Sequence, residues 1–400
     1  MKVFIINVVC GTGSTGHIVV DLYNAILATG NEACIAYGRG SAKEVQSYRI
    51  GTDIDVLIHA GLSRFTNRQG NYSMRATWAL INKIESYSPD IIHVHNIHGY
   101  YINYKILFDF LRRYRKPVIW TMHDCWAFTG HCAYYEGVMC DGWLNGCNSC
   151  KSSYVYPKAY TSRKTSDNYE RKEKAFIIPK LRIVTPSHWL QKQLSQSFFK
   201  NVPCRVINNG IDLDIFRIVE SDVKERLGIL GKKMILGVAN VWTKFKGLDD
   251  FIALSEQTDS EYVVCMIGLS KKQLKALPDH IIGIERTESL EILVKYYSAA
   301  DVFVNLTYED TFPTVNIEAL ACGTPIITYR TGGSAEMIDE TCGSCVEKGN
   351  IKRVLEEISV WTHRQRSAEC RKRAMLYEKS ECYEKYMSYY SEVMGTNPTN

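Results

Sequence analysis

The chain has no apolar run approaching the roughly 20 residues that a membrane-spanning helix requires, so no helical span is expected among its 400 residues. It also lacks an export signal of ordinary form. Lys2 followed by VFIINVV is short, is interrupted by Asn7, and offers Val9 rather than a small residue before Cys10. A buried first strand accounts for this stretch, and the cytoplasm is the expected compartment. Short-period repeats and low-complexity segments are absent. No nucleic-acid-binding motif accompanies the basic residues, so nucleic acid is not an expected partner. The net charge is a modest +5, yet Lys158 to Arg205 holds eleven Lys or Arg against three Asp or Glu. A basic face of this kind meets phosphates or an anionic bilayer, or is an ordinary solvated surface.

What is present fits a globular protein of two domains: 46% hydrophobic and 23% charged residues in a chain too long for one ordinary core. Fourteen cysteines in a reducing compartment do not predict a disulfide framework. Cys34, Cys265 and Cys322 lie in apolar runs and read as small core residues. Short apolar runs at Val3–Val9, Ala33–Tyr37, Ile91–His95, Val118–His123 and Ile183–Thr185 alternate with helical patterns at His17–Thr29, Arg75–Tyr87, Tyr104–Tyr114 and His188–Phe198. The rhythm repeats in the second half, with strands at Met234–Asn240, Tyr262–Ile267, Val302–Leu306 and Pro325–Tyr329. Such alternation predicts an α/β class built from two doubly wound parallel sheets. The expected domains are 1–210, with a Cys-rich loop at 131–150, and 211–380. A helix over 381–400 is expected to pack back on the first domain. Ligands of open parallel sheets bind beyond the carboxyl ends of the strands. Function is therefore expected on strand-ending loops facing a cleft between the domains.

Four stretches carry chemistry. Gly11-Thr12-Gly13-Ser14-Thr15-Gly16 follows the first strand and opens the first helix, where glycines admit a phosphate to the backbone and free N–H groups attract it. The pattern matches G-x-G-x-x-G, but a dinucleotide site wants an acid at the end of the second strand, and Tyr37-Gly38-Arg39 stands there. Gly13, Ser14 and Gly16 are therefore read as phosphate or sugar contacts. In the stretch from Asp301 to Ile338, Asp310 and Glu318 are eight residues apart across a loop-to-helix junction. The amides of Thr314 and Val315 at that helix tip suit a diphosphate, and the two acids suit sugar and ribose hydroxyls. His123 ends a strand in TMHD, and His95, Asn96 and His98 end another. Finally, Cys132, Cys140, Cys147 and Cys150, beside His131, suit a closed tetrahedral structural zinc site that staples a long loop. Loose thiols and labile disulfides are the competing readings. Arg64 to Trp78 mixes basic and aromatic residues, which suits lipid contact or plain helix packing.

Glu318, Ala319, Ala321, Gly323 and Pro325 resemble the donor signature of retaining glycosyltransferase family 4, Glu-x7-Glu followed by Ala-x-Ala-x-Gly-x-Pro, with Asp310 in the first Glu position. The variant is similar to a branch associated with bacterial surface polysaccharides. Asn209-Gly210-Ile211-Asp212 with Phe216 resembles the family's interdomain segment, and Thr185-Pro186-Ser187 resembles the loop preceding it. Gly237–Gly247 resembles its diphosphate segment, with Lys246 matching and Lys244 in place of an arginine. The resemblance implies a GT-B fold of two Rossmann-like domains. It implies a UDP- or GDP-sugar donor, a glycan or lipid-linked saccharide acceptor, retention of anomeric configuration and no catalytic divalent metal. Glu318 is then expected on the ribose and Lys244, Lys246, Thr314 and Val315 on the diphosphate. Asp310, Phe312 and Pro313 are expected toward the sugar, Gly13 to Gly16 over the phosphates and His123 beside the anomeric carbon. Peripheral contact with the inner face of the cell membrane is a further expectation. The alternatives are a sugar-nucleotide epimerase of similar architecture and a non-catalytic scaffold.

Overall fold

A computed structural model describes residues 1–42, 44–148, 150, 153–363 and 366–395. The chain divides into two compact units, Met1–Asn208 joined by Tyr383 onward, and Asn209–Cys382.

The first unit runs β1 (Lys2–Val9), α1 (Gly13–Ala28), β2 (Glu32–Arg39), β3 (Ser47–Arg49), α2 (Asp53–Thr66), α3 (Met74–Tyr87), β4 (Ile91–Val94), α4 (Tyr104–Arg113), β5 (Val118–Thr121), α5 (Thr165–Phe176), β6 (Leu181–Thr185), α6 (His188–Ser195) and β7 (Cys204–Val206). Its seven strands lie in the order β3-β2-β1-β4-β5-β6-β7, every pair parallel. Val3, Phe4, Ile5 and Ile6 of β1 are wholly buried. That is the signature of a central parallel strand covered on both faces, and it explains why β1 is a continuous apolar run rather than an alternating one.

The second unit runs α7 (Val223–Arg226), β8 (Lys233–Val238), α8 (Leu248–Gln257), β9 (Tyr262–Ile267), α9 (Lys271–Ala276), β10 (Ile281–Ile284), α10 (Leu290–Ala299), β11 (Val302–Asn305), α11 (Thr314–Ala321), β12 (Ile326–Tyr329), β13 (Gly343–Val346), α12 (Ile351–Trp361), α13 (Ser367–Met375) and the start of α14 (Lys379–Met394). Six parallel strands are ordered β10-β9-β8-β11-β12-β13. Both sheets thus have the doubly wound arrangement anticipated from the alternating pattern. Among the described residues no helix is long and apolar enough to cross a membrane.

One detail differs from expectation. Helix α1 begins at Gly13, four residues before its apolar periodicity starts, because its first turn is Gly-Ser-Thr-Gly and carries no hydrophobic residue. The tail is three helices. From Tyr383 onward α14 belongs to the first unit, where Tyr383, Tyr386, Tyr389 and Tyr390 join Val3, Ile5, Val19 and Ile119 in one core. The hydroxyls of Tyr390 and Tyr386 meet His93 Nδ1 at 2.6 Å and Thr121 Oγ1 at 3.1 Å.

Candidate functional site

In the second unit β8 connects toward β9 and β11 toward β12, in opposite directions along the strand order, so a ligand crevice is expected outside the carboxyl ends of these two strands. Two glycines let these loops lie close. Gly247 has φ +77°, and a Cβ there would stand 2.3 Å from the Leu306 carbonyl oxygen. Gly332 has φ +50°, and its Cβ would fall 1.6 Å from the Asp310 carbonyl oxygen. Only glycine permits either approach without moving backbone. Hydrogen bonds then tie the three loops: Tyr308 N to Phe245 O at 2.8 Å, Thr331 Oγ1 to Thr307 O at 2.7 Å and Gly333 N to Thr311 O at 3.2 Å.

The charged groups sit on this woven edge. Lys246 Nζ donates to Asp310 Oδ2 at 2.7 Å and to the Glu309 carbonyl at 3.2 Å. Asp310 Oδ1 accepts from the Phe312 amide at 3.1 Å, which fixes the loop ahead of α11. Pro313 precedes α11, no side chain caps the helix, and its first turn holds no acid. An α-helix leaves its first N–H groups without intrahelical acceptors, which makes this end suited to an anion. Glu318, about one turn in, is partly buried and accepts from the fully buried Tyr297 hydroxyl at 2.9 Å. Burial pushes its carboxyl above the usual range, and hydrogen bonds from Tyr297 and Thr314 oppose that shift. The structure therefore gathers Lys246, Asp310, Thr314, Val315 and Glu318 around one loop-to-helix junction. Lys244 is exposed on the short turn before Lys246. The Phe312 ring is packed into the core against Tyr377, with centroids 5.7 Å apart, so its backbone is what Phe312 offers the crevice.

The first unit has a comparable edge. Gly13 and Ser14 are exposed in the first turn of α1, which has neither a side-chain cap nor an acid. Gly16 is buried, and its carbonyl accepts from Gly11 N at 3.0 Å. The ends of β4 and β5 bring the histidines together. His95 Nδ1 and His123 Nε2 share a hydrogen bond at 2.9 Å, and their rings stack. His98 Nε2 meets Asp124 Oδ2 at 2.6 Å, while Asp124 Oδ1 accepts from Trp126 N at 2.9 Å. Burial holds His123 down to about 4, against a smaller upward pull from Asp124. Burial also keeps His95 well below the ordinary histidine range, with His93 and His123 adding to it. Both shifts favour the uncharged form of the His95 and His123 rings.

The structure does not show the expected zinc site. Among the described residues no group of three or more His, Cys, Asp or Glu side chains is placed to hold a metal ion. Cys132, Cys140, Cys147 and Cys150 lie near enough to influence one another electrostatically. Burial, reinforced by the other three thiols, pushes Cys132 far above the usual thiol range. Cys147 is raised to about 11 by burial, and its sulfur already accepts from Gly130 N at 3.1 Å. His131 is engaged elsewhere, with Asn67 Oδ1 at 2.7 Å.

Sequence reasoning missed Tyr297 and Asp124. Tyr297 lies 21 residues before Glu318 on another helix, and only the fold joins them. Asp124 did carry a signal, since it adjoins His123 at a strand end.

With this geometry in hand, comparison with known proteins is informative. Residues 15–215 match the family described as Glycosyltransferase Family 4, and residues 220–380 match Glycosyl transferases group 1. The putative colanic acid biosynthesis glycosyl transferase WcaC of Escherichia coli strain K12 is 23% identical over 98% of this chain and 100% of its own. Sucrose-phosphate synthase from Thermosynechococcus elongatus superposes with a TM-score of 0.73 at 16% identity, covering 98% of this chain and 99% of that one. Anabaena HepE in complex with UDP-glucose gives a TM-score of 0.67 at 12% identity, covering 98% of this chain and 100% of that one. These likenesses show the GT-B fold. The match across half the chain goes further: the protein is a hexosyl-transferring enzyme and belongs to glycosyltransferase family 4.

Proposed function

We propose that the protein transfers a sugar from a nucleoside diphosphate sugar to a glycan or lipid-linked saccharide, with retention, during synthesis of a bacterial surface polysaccharide. The observation that carries this reading is the uncapped, acid-free start of α11 beside Lys246, Asp310 and Glu318. A helix tip with an adjacent ammonium is suited to two linked phosphoryl groups. The name of WcaC, which refers to colanic acid biosynthesis, supports a polysaccharide product, and the UDP-glucose complex of HepE supports a UDP-sugar donor.

In this reading the Thr314 and Val315 amides and Lys246 hold the diphosphate, assisted by Lys244, and Glu318 accepts from the ribose hydroxyls. Lys246 is poised by Asp310 and shares its charge with the phosphates as negative charge grows on the leaving group. Fixed dipoles and an ammonium stabilise that charge without reorganisation. Asp310 and the Phe312-Pro313 backbone orient the sugar. Taken by itself, the first unit offers the amides of Gly13, Ser14 and Gly16 as groups suited to a phosphate, and His123 as an imidazole oriented by His95 and suited to a catalytic role. The chemistry asked of these groups requires no divalent ion.

The test is product analysis with a panel of UDP-, GDP- and ADP-sugars and a lipid-linked saccharide. A new glycoside plus free nucleoside diphosphate supports the proposal. Interconversion of the sugar nucleotide without an acceptor overturns it in favour of an epimerase.

A further inference from the structure

The strand end where a dinucleotide site would carry an acid carries Arg39 instead. Arg39 closes β2 beside Val9 of β1. The loop that follows β4 folds down over this strand end. A Cβ at Gly38 would stand 2.2 Å from the Tyr101 ring, and one at Gly99 would stand 3.5 Å from a terminal nitrogen of Arg39. The Tyr101 hydroxyl ties the loop to its own start, donating to Asn96 O at 2.7 Å. His98 and Gly99 are thereby held against the guanidinium.

Arg39 has no anion of its own. Its Nε is closed off from solvent without a hydrogen-bond partner, and among the described residues its guanidinium makes no ion pair. The acids at this edge are taken. Asp53 pairs with Arg49, while Asp124 accepts from the Trp126 amide at 2.9 Å and meets His98 Nε2 at 2.6 Å. A guanidinium drawn out of water without a counter-charge is costly, and its planar fork matches a carboxylate or a phosphate. The other His98 nitrogen, Nδ1, meets the Tyr156 hydroxyl at 3.3 Å. Tyr156 is 47% exposed, so its ring is open to solvent while its hydroxyl turns to the histidine. Burial of that hydroxyl, with Tyr100 and Asp124 adding to it, pushes it up to about 12, and the Arg39 charge opposes the shift. Guanidinium, imidazole and phenol thus share one neighbourhood. The backbone on either side of the phenol is fixed, Tyr156 O accepting from Ala133 N at 3.0 Å and Pro157 O from Gln69 Nε2 at 2.9 Å.

We propose that this edge of the first unit binds an acidic saccharide, whose carboxylate or phosphate lies on the Arg39 fork while a sugar hydroxyl meets the Tyr156–His98 pair that Asp124 holds in place. The Tyr156 ring offers the sugar an apolar face beside a polar tip. A neutral sugar would fill the same space but leave Arg39 without a counter-charge, and that difference is the source of selectivity. The inference names the chemistry of the acceptor and rests on the transferase reading for its meaning. The binding it describes needs neither donor nor turnover.

The test is saturation-transfer NMR titration of the full chain, without nucleotide, using methyl glucuronide, glucose 1-phosphate and methyl glucoside. At least one of the two acids should bind about tenfold or more tighter than the neutral glucoside. Preference for the glucuronide assigns the charge to an acidic sugar residue; preference for the phosphate assigns it to the phosphate end of a lipid-linked saccharide. Arg39→Gln should bring the ratio of acid to neutral affinity to about one, and Arg39→Lys should keep part of it, because an ammonium has charge without the fork. A folding defect lowers all three affinities together, so the ratio is the readout. No binding of either acid, equal affinity for acid and neutral sugars, or a preference that survives Arg39→Gln overturns the proposal. So does an Arg39→Gln chain that loses UDP affinity as strongly as acid affinity, since the guanidinium would then serve the donor. Acid-selective binding with no glycoside formed from any donor would instead sink the transferase reading and leave this site standing.

Discussion

At the residue scale, the balance at Glu318 gives the sharpest expectations. Its carboxyl is held between a buried tyrosine hydroxyl and the helix tip. A hydrogen bond to a charged group contributes about 1.5–3 kcal/mol. Glu318→Ala is thus expected to weaken nucleotide binding about tenfold to a hundredfold by calorimetry, while Tyr297→Phe shifts affinity less. At Lys246, alanine should lower kcat more than donor affinity, and arginine should restore part of it, because the charge matters most as the leaving group develops. Unchanged kinetics in Lys246→Ala would remove it from the diphosphate site.

The buried imidazoles set a pH dependence of stability. Burial lowers His59 and His93 from 6.5 to about 3, and His123 from 6.5 to about 4. A folded-state pKa below the unfolded value means the unfolded chain binds more protons between the two. Stability is therefore constant above about pH 7 with respect to these groups and falls as pH drops below 6.5. Each histidine contributes at most about 1.4 kcal/mol per pH unit. Urea midpoints from pH 7 to pH 4.5 measure the slope, and His59→Gln should reduce it by one proton.

At the scale of elements, the parts legible in the sequence were those whose burial follows a simple period. β1, β9 and β11 are continuous apolar runs in the middle of parallel sheets, and their positions emerge directly from composition. The edge strands β3 and β7 have only three residues, and β10 and β13 are half-buried, so none of them shows a continuous apolar run. Helix α2 was hidden because it wears its apolar face outward. Helix α5 shows how a charge run misleads. Lys172, within the basic stretch from Lys158 to Arg205, is only 2% exposed. Its ammonium donates to the Trp126 and Thr129 carbonyls at 2.6 and 2.9 Å and lies 3.6 Å from the Trp126 ring centroid. It pins the loop that follows Asp124. Lys172→Ala should therefore cost about 2–4 kcal/mol of stability, from two unpaired carbonyls and the vacated volume. Thermal unfolding would read this as a clear drop in Tm; an unchanged Tm would show the loop is held by other contacts. Of the candidate site, the acids and the helix tip were visible as a motif. Tyr297, the Gly332 approach to Asp310 and the His95–His123 bond were not, because each joins residues from different strands or helices.

At the scale of the whole molecule, alternation of strands and helices sufficed to predict two doubly wound sheets, since right-handed strand-helix-strand crossovers leave few other ways to bury both faces. Four thiols within 19 residues imply a metal only if the loop presents all four inward together, and the local backbone decides that.

Helix α14 adds an order of events to the architecture. Tyr383, Tyr386, Tyr389 and Tyr390 complete the core around β1, yet the ribosome makes them only after the entire second unit. The half of the protein that emerges first therefore cannot complete its core until its closing helix has been made.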